Sequence, residues 1–127
     1  MSTNIEIDFT LWGSIIPPKT ISTLTEIAPE VQFLKGERNR SLVLPRENLW
    51  AIRSTVDSDV ISDHWAELGG KLVPKKEVLR EVAGTGIAKI TIIVRGGSRI
   101  PSLVIPPDLS SFASFMNAPI EIDHMQR

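Results

Sequence analysis

Apolar and polar residues alternate at the start of the chain, where Ile5, Ile7, Phe9 and Leu11 are interleaved with Glu6, Asp8 and Thr10. A period of two sends successive side chains to opposite faces of a strand, so the segment predicts a strand with one buried and one wet face, closed by Gly13. The same alternation puts Trp12 on the wet face. After Pro17 and Pro18 the period lengthens, and Ile21, Leu24, Ile27 and Ala28 recur at helical spacing until Pro29. This predicts a short amphipathic helix with proline in its first turn, where the missing amide proton has no intrahelical acceptor to lose.

The arrangement recurs near the other end. "VIPPDLSSFASF", Val104 to Phe115, parallels "IIPPKTISTLTEI", Ile15 to Ile27. Leu109, Phe112, Phe115 and Met116 form the second stripe, Asp108 sits in the dipole-favoured first turn, and Asn117 and Pro119 end the helix. Core packing accounts for the apolar positions in both segments, so the pair reads as a fold element used twice rather than a repeated ligand motif.

Between them, Ser41–Leu44 and Leu49–Ser54 predict a hairpin turning at Pro45–Asn48. Asp57, Ser58 and Asp59 offer capping oxygens to a helix that buries Ile61, Trp65, Leu68 and Leu72 and frays at Gly69–Gly70. Pro74 opens a helix with Val78, Leu79 and Val82 inward, and "GTG" at 84–86 stops it. Ala88, Ile90, Ile92 and Val94 define a strand, Leu103–Ile105 a short one after "RGGSR", and Ile120 and Ile122 the last. The predicted order is β-α-β-β-α-α-β-β-α-β. It implies an α+β fold: a mainly antiparallel sheet with helices packed on one face. The other face, with Glu6, Asp8, Thr10, Lys89, Thr91, Glu121 and Asp123, is expected to be largely wet.

Composition narrows the function classes. A chain of 127 residues predicts a single domain, 1–127, and 42% hydrophobic with 23% charged residues predicts a folded one. The net charge of −1 gives no global attraction to nucleic acid. The absence of cysteine removes disulfides, thiolate catalysis and cysteine-ligated metals. "MSTNIEIDF" has neither the basic nor the apolar region of a signal peptide, and runs such as "ITIIV" are too short to span a bilayer. A cytoplasmic protein without membrane contact is expected.

Candidate chemistry is sparse. The pairs Asp63–His64 and Asp123–His124 offer ligand or general-base types, yet adjacent strand residues point to opposite faces, and His64 borders a buried stripe. Structural or surface roles are the simpler reading. No G-x-S-x-G elbow, P-loop, H-E-x-x-H or EF-hand pattern occurs. "GTGIAK" precedes a strand instead of following one, so it reads as a helix stop. "VRGGSR" reads as a tight loop, with an anion nest as the alternative. The segment from Lys35 to Arg53 stands out: Lys35, Arg38, Arg40, Arg46 and Arg53 face only Glu37 and Glu47. Arginine beside tryptophan, here Trp50, is the composition of a protein-binding or nucleic-acid-binding surface, with a solvated hairpin carrying its usual charges as the simpler reading. Trp12, on the wet face, needs a cover or a partner.

Several stretches together resemble the bacterial domain-of-unknown-function family 4279: "PPKTIS", "KGE", "LWAIRS", "HWAEL", Pro74, "LVIPPDL" and "IEID". The signature residues of that family, here Pro18, Gly36, Trp50, Leu68, Pro74, Pro107 and Leu109, look like turn and core positions, and the resemblance implies no established activity. The family's last strand often ends in an aromatic, whereas His124 and Met125 stand here. Small cytoplasmic bacterial α+β domains without catalytic signatures are similar in kind to immunity proteins that sequester toxins. The expectation is a non-enzymatic protein-interaction domain without cofactor, its partner anchored by Trp12, Arg38, Arg40 and Arg46. The alternative is a small-molecule or nucleotide-binding enzyme using Asp63, His64 or His124.

Overall fold

The computed structural model describes residues 4–35, 47–96 and 102–125. In chain order they form β1 (Asn4–Trp12), α1 (Pro18–Thr25), β2 (Val31–Phe33), β3 (Leu49–Arg53), α2 (Ile61–Leu72), α3 (Lys76–Ala83), β4 (Ile87–Arg95), α4 (Pro107–Phe115) and β5 (Ile120–Met125), with a 3-10 turn, Val73–Lys75, joining α2 to α3. The strands make one sheet in the order β2-β3-β1-β4-β5. The fold is α+β.

The alternation in β1 and β4 builds the core. Ile5, Ile7, Phe9 and Leu11 lie beside Val94, Ile92, Ile90 and Ala88, while Phe9 and Leu11 meet Ile52 and Trp50 on the other side. All ten belong to one buried cluster, which also takes in Ile21 of α1, Leu68 and Leu72 of α2, Leu79 of α3 and Phe112 of α4. The helices therefore share one face of the sheet. Phe112 wedges between sheet and helix, its ring centroid 5.6 Å from that of Phe9 and 5.3 Å from that of Trp65.

Both proline pairs start helices in the same way. Pro17 and Pro106 are extended, with ψ of 146° and 149°, and each carbonyl accepts two amide hydrogen bonds from the turn that follows. The residue before a proline is held extended in this manner, and the second proline fits the first helical position.

The sheet is mainly antiparallel, as expected, with β5 running parallel to β4; α4 lies in the connection and brings the chain back in the same direction. Leu103–Ile105 is not a strand, because β4 already has β1 on one edge and β5 on the other, and Leu103 and Ile105 pack against the core instead. The hairpin strand Ser41–Leu44 lies outside the described residues; β3 pairs with β1 and with β2, a strand the sequence pattern does not separate from its surroundings. In α1, Leu24 is 48% exposed while Pro18, Ile21 and Thr25 face inward, and Ala28, expected in the helix, lies beyond its end and is exposed. The left-handed Glu26, at φ 59°, ends that helix and turns Ile27 back into the core.

Candidate functional site

The second face of the sheet begins with a row of apolar residues. Cross-strand register aligns Phe33 of β2 with Leu49 of β3, Leu49 with Trp12 of β1, and Trp12 with Ile87 of β4. Four neighbouring strands thus present four large apolar side chains side by side, on the face opposite the helices. Trp12 is 53% exposed and Ile87 60%; Phe33 and Leu49 are partly so. Contiguous apolar exposure of this kind marks interaction surfaces more reliably than scattered single residues do.

The next two rows are more polar. Val31, Ala51, Thr10 and Lys89 come next, then Arg53, Asp8, Thr91 and Glu121. The expected wet positions are on this face, but Asp8 is buried: Nε of Arg53 donates to its Oδ2 at 2.7 Å and the Thr10 hydroxyl to its Oδ1 at 2.5 Å. Arg95 pairs with Glu6, and Lys89 lies 3.5 Å from Glu121. The basic residues of the described strands on this face, Arg53, Lys89 and Arg95, are thereby each paired with a carboxylate. The segment between β2 and β3 carries Arg38, Arg40 and Arg46.

That segment is fastened at the apolar end. The Asn48 carboxamide accepts the Lys35 amide proton at 2.7 Å and donates to the Ser14 carbonyl at 2.9 Å, and the Asn48 carbonyl accepts the Gly13 amide proton at 2.8 Å. The chain leaves the sheet just after Phe33 and re-enters at Leu49, and one asparagine ties both points to the residues following Trp12. Arg38, Arg40 and Arg46 lie outside the described residues; the two ends of their segment flank the row. Trp50, expected beside those arginines at a surface, is fully buried on the helix side, where its indole donates to the Ser22 hydroxyl at 3.0 Å.

The histidines have separate settings. His64 is fully buried, with Nδ1 2.7 Å from the Ser54 hydroxyl and Nε2 2.7 Å from the Ser58 carbonyl. A carbonyl only accepts, so Nε2 carries the proton, and in the neutral ring Nδ1 accepts from Ser54. A serine–histidine pair at this distance has the make-up of a nucleophile and base, but both side chains are sealed from solvent. The Ser54 oxygen also accepts the Ile7 amide proton at 2.8 Å, which makes it a clip between β1, β3 and α2. Asp63 accepts the Ser58 hydroxyl at 2.6 Å. His124 is exposed on β5, facing the opposite way from Asp123. No hydrogen bond or ion pair among the described residues joins it to His64 or Asp63, and no group of three His, Asp or Glu there could hold a metal ion.

Phe33, Leu49 and Ile87 escape the sequence reading. The signal for Ile87 was present: it occupies the phase of Lys89 and Thr91, so a large apolar residue stands at a position the alternation marks as wet.

These features define a small α+β domain whose sheet is covered by helices on one face and carries an apolar row on the other. The chain belongs to the family described as domain of unknown function (DUF4279), whose model matches residues 3–126. No curated protein and no solved structure matches the chain significantly. Among the described residues no helix is long and apolar enough to cross a membrane.

Proposed function

We propose that the chain acts as a single, non-enzymatic protein-interaction domain, and that Trp12 with its apolar row, together with Arg38, Arg40 and Arg46, forms the partner-facing surface. The observation that carries this reading is the exposure of Trp12 in a four-strand apolar row at the point where the arginine-bearing segment is tied down. Tryptophan contributes a large apolar area with few torsions to freeze, and arginine a weakly hydrated planar group with five donors. The fitting occupant is a protein with an apolar socket rimmed by carboxylates. An immunity-like role in the cytoplasm, with a toxin as the sequestered partner, is the version of this reading to which the burial of the Ser54–His64 pair lends support.

The test is a photo-crosslinking amino acid placed at Trp12 in the cells that make the protein, with the same group at exposed Leu24 as control. A discrete protein adduct from position 12 alone, weakened by Arg38→Ser, Arg40→Ser and Arg46→Ser together and by added salt, is the expected result. Adducts to nucleic acid, or equal labelling from both positions, would refute the assignment.

A further inference from the structure

A groove of about 560 Å3 lies between α2 and α4, lined by Trp65, Gly70, Val73, Lys76, Asp108 and Phe115 among others. The size suits a small ligand. The aromatic rings of Trp65, Phe112 and Phe115 give it apolar walls. One wall is bare backbone, because α2 places Gly69 and Gly70 in succession. Packing explains the first: a Cβ on Gly69 would come within 2.8 Å of the Trp65 ring. It does not explain the second. A Cβ on Gly70 would meet nothing within 4 Å, although glycine inside a helix costs roughly 1 kcal/mol relative to alanine.

The groove also carries opposite charges at its two ends. Lys76 Nζ lies 4.9 Å from the centroid of the Phe115 ring, while Arg80, with Cζ 4.7 Å from the same centroid, lines the neighbouring cavity. Asp108 stands two turns before Phe115 on α4, roughly 10 Å from it along an axis that rises about 1.5 Å per residue. No ion pair among the described residues joins it to either cation. Ser111 lines the groove between the ends.

We propose that this groove binds a short apolar peptide with both termini free, the carboxylate at Lys76 and the ammonium at Asp108. An extended tripeptide spans about 10 Å at roughly 3.3–3.6 Å per residue, which matches the rise along α4 from Asp108 to Phe115, the ring beside which Lys76 lies. A free amino acid carries both charges on one carbon and reaches one end only. The site is distinct from the Trp12 surface, and its failure would leave that reading untouched.

The probe is a leucine–phenylalanine–leucine tripeptide titrated into isotope-labelled protein, read at the backbone amides of Gly69 and Gly70 and the Trp65 indole. Saturable shifts confined to these signals are expected, with the acetylated, amidated peptide at least about tenfold weaker. Lys76→Met should erase the preference for a free carboxylate, Asp108→Asn that for a free amine, and Gly70→Leu should block the groove. Absence of saturable shifts, or equal binding by free and capped peptides, would overturn the proposal. So would insensitivity to both charge substitutions, which lie outside the core cluster and keep the test valid even if Gly70→Leu fails to fold.

Discussion

The Ser54 hydroxyl lies 2.7 Å from Nδ1 of His64, with the two side chains 3% and 0% exposed. The pair closes a chain of hydrogen bonds from the Ile7 amide through Ser54 and the imidazole to the Ser58 carbonyl. Burial makes the pair structural: every polar atom in it finds a partner inside the fold, and a buried group left without one costs about 1–3 kcal/mol.

His64→Leu should therefore lower stability by about 1–3 kcal/mol for each of the two partners it strands. Urea denaturation is the measurement, with a lower midpoint at unchanged slope as the expected outcome. His124→Gln, at an exposed position, should leave the midpoint within about 0.5 kcal/mol of the parent. A parent-like His64→Leu would contradict the buried network.

The helix faces give a second test. Ile21 is fully buried and Phe112 is 4% exposed, whereas Leu24 is 48% exposed. Ile21→Ala and Phe112→Ala should each destabilise by about 2–5 kcal/mol, and Leu24→Ala by less than about 0.5 kcal/mol. Thermal and chemical melts of the three variants decide it.

That contrast also marks the limit of what the sequence makes legible. Period-two alternation located β1 and β4 because each strand has one face in the core, and the proline pairs marked both helix starts because proline has few other places in a helix. The phase of α1 was not legible: two turns of helix hold apolar residues on more than one side, and contact with Trp50 and the sheet decides which are buried. Nor was the apolar row. Trp12 could be assigned to the wet face from β1 alone, but Phe33, Leu49 and Ile87 become its neighbours only through register between strands distant in sequence, and no local pattern encodes that register.

A third expectation concerns ion pairs on the open face. Asp8 is buried and depends on Arg53, while the Lys89–Glu121 pair is largely in solvent. Removing the partner of a buried carboxylate strands its charge, so Arg53→Met should cost about 1–3 kcal/mol. Lys89→Met should cost less than about 1 kcal/mol, and added salt should mask it. Equal effects in denaturation would remove the distinction.

Acid stability offers a fourth. Hydrogen bonds from the Thr55 hydroxyl and amide, at 2.5 and 2.6 Å, hold the Glu67 carboxyl below its ordinary value of 4.5, the hydroxyl contributing most. A carboxylate with a depressed folded-state pKa contributes stability that is present above its unfolded value and lost as pH falls through the folded one. The stability gap between the parent and Thr55→Val should be full near neutrality and shrink on acidification below about 4.5. A gap independent of pH would mean that Thr55 acts only through packing.

The last prediction concerns Trp12 itself. Of the three tryptophans, Trp50 is 0% exposed and Trp65 is 6%, so Trp12, at 53%, is the one that a dissolved quencher can reach. Iodide should therefore quench a fraction of the emission, and Trp12→Phe should remove that accessible component while leaving the buried emission intact. The substitution should barely change stability, because the indole sits outside the core cluster. If the apolar row is the partner-facing surface, a bound partner should protect the same component from iodide, and Ile87→Ser, on the adjacent strand, should weaken binding without altering the melt. Quenching that persists unchanged in Trp12→Phe would show the accessible indole to be another one and would remove the row from consideration.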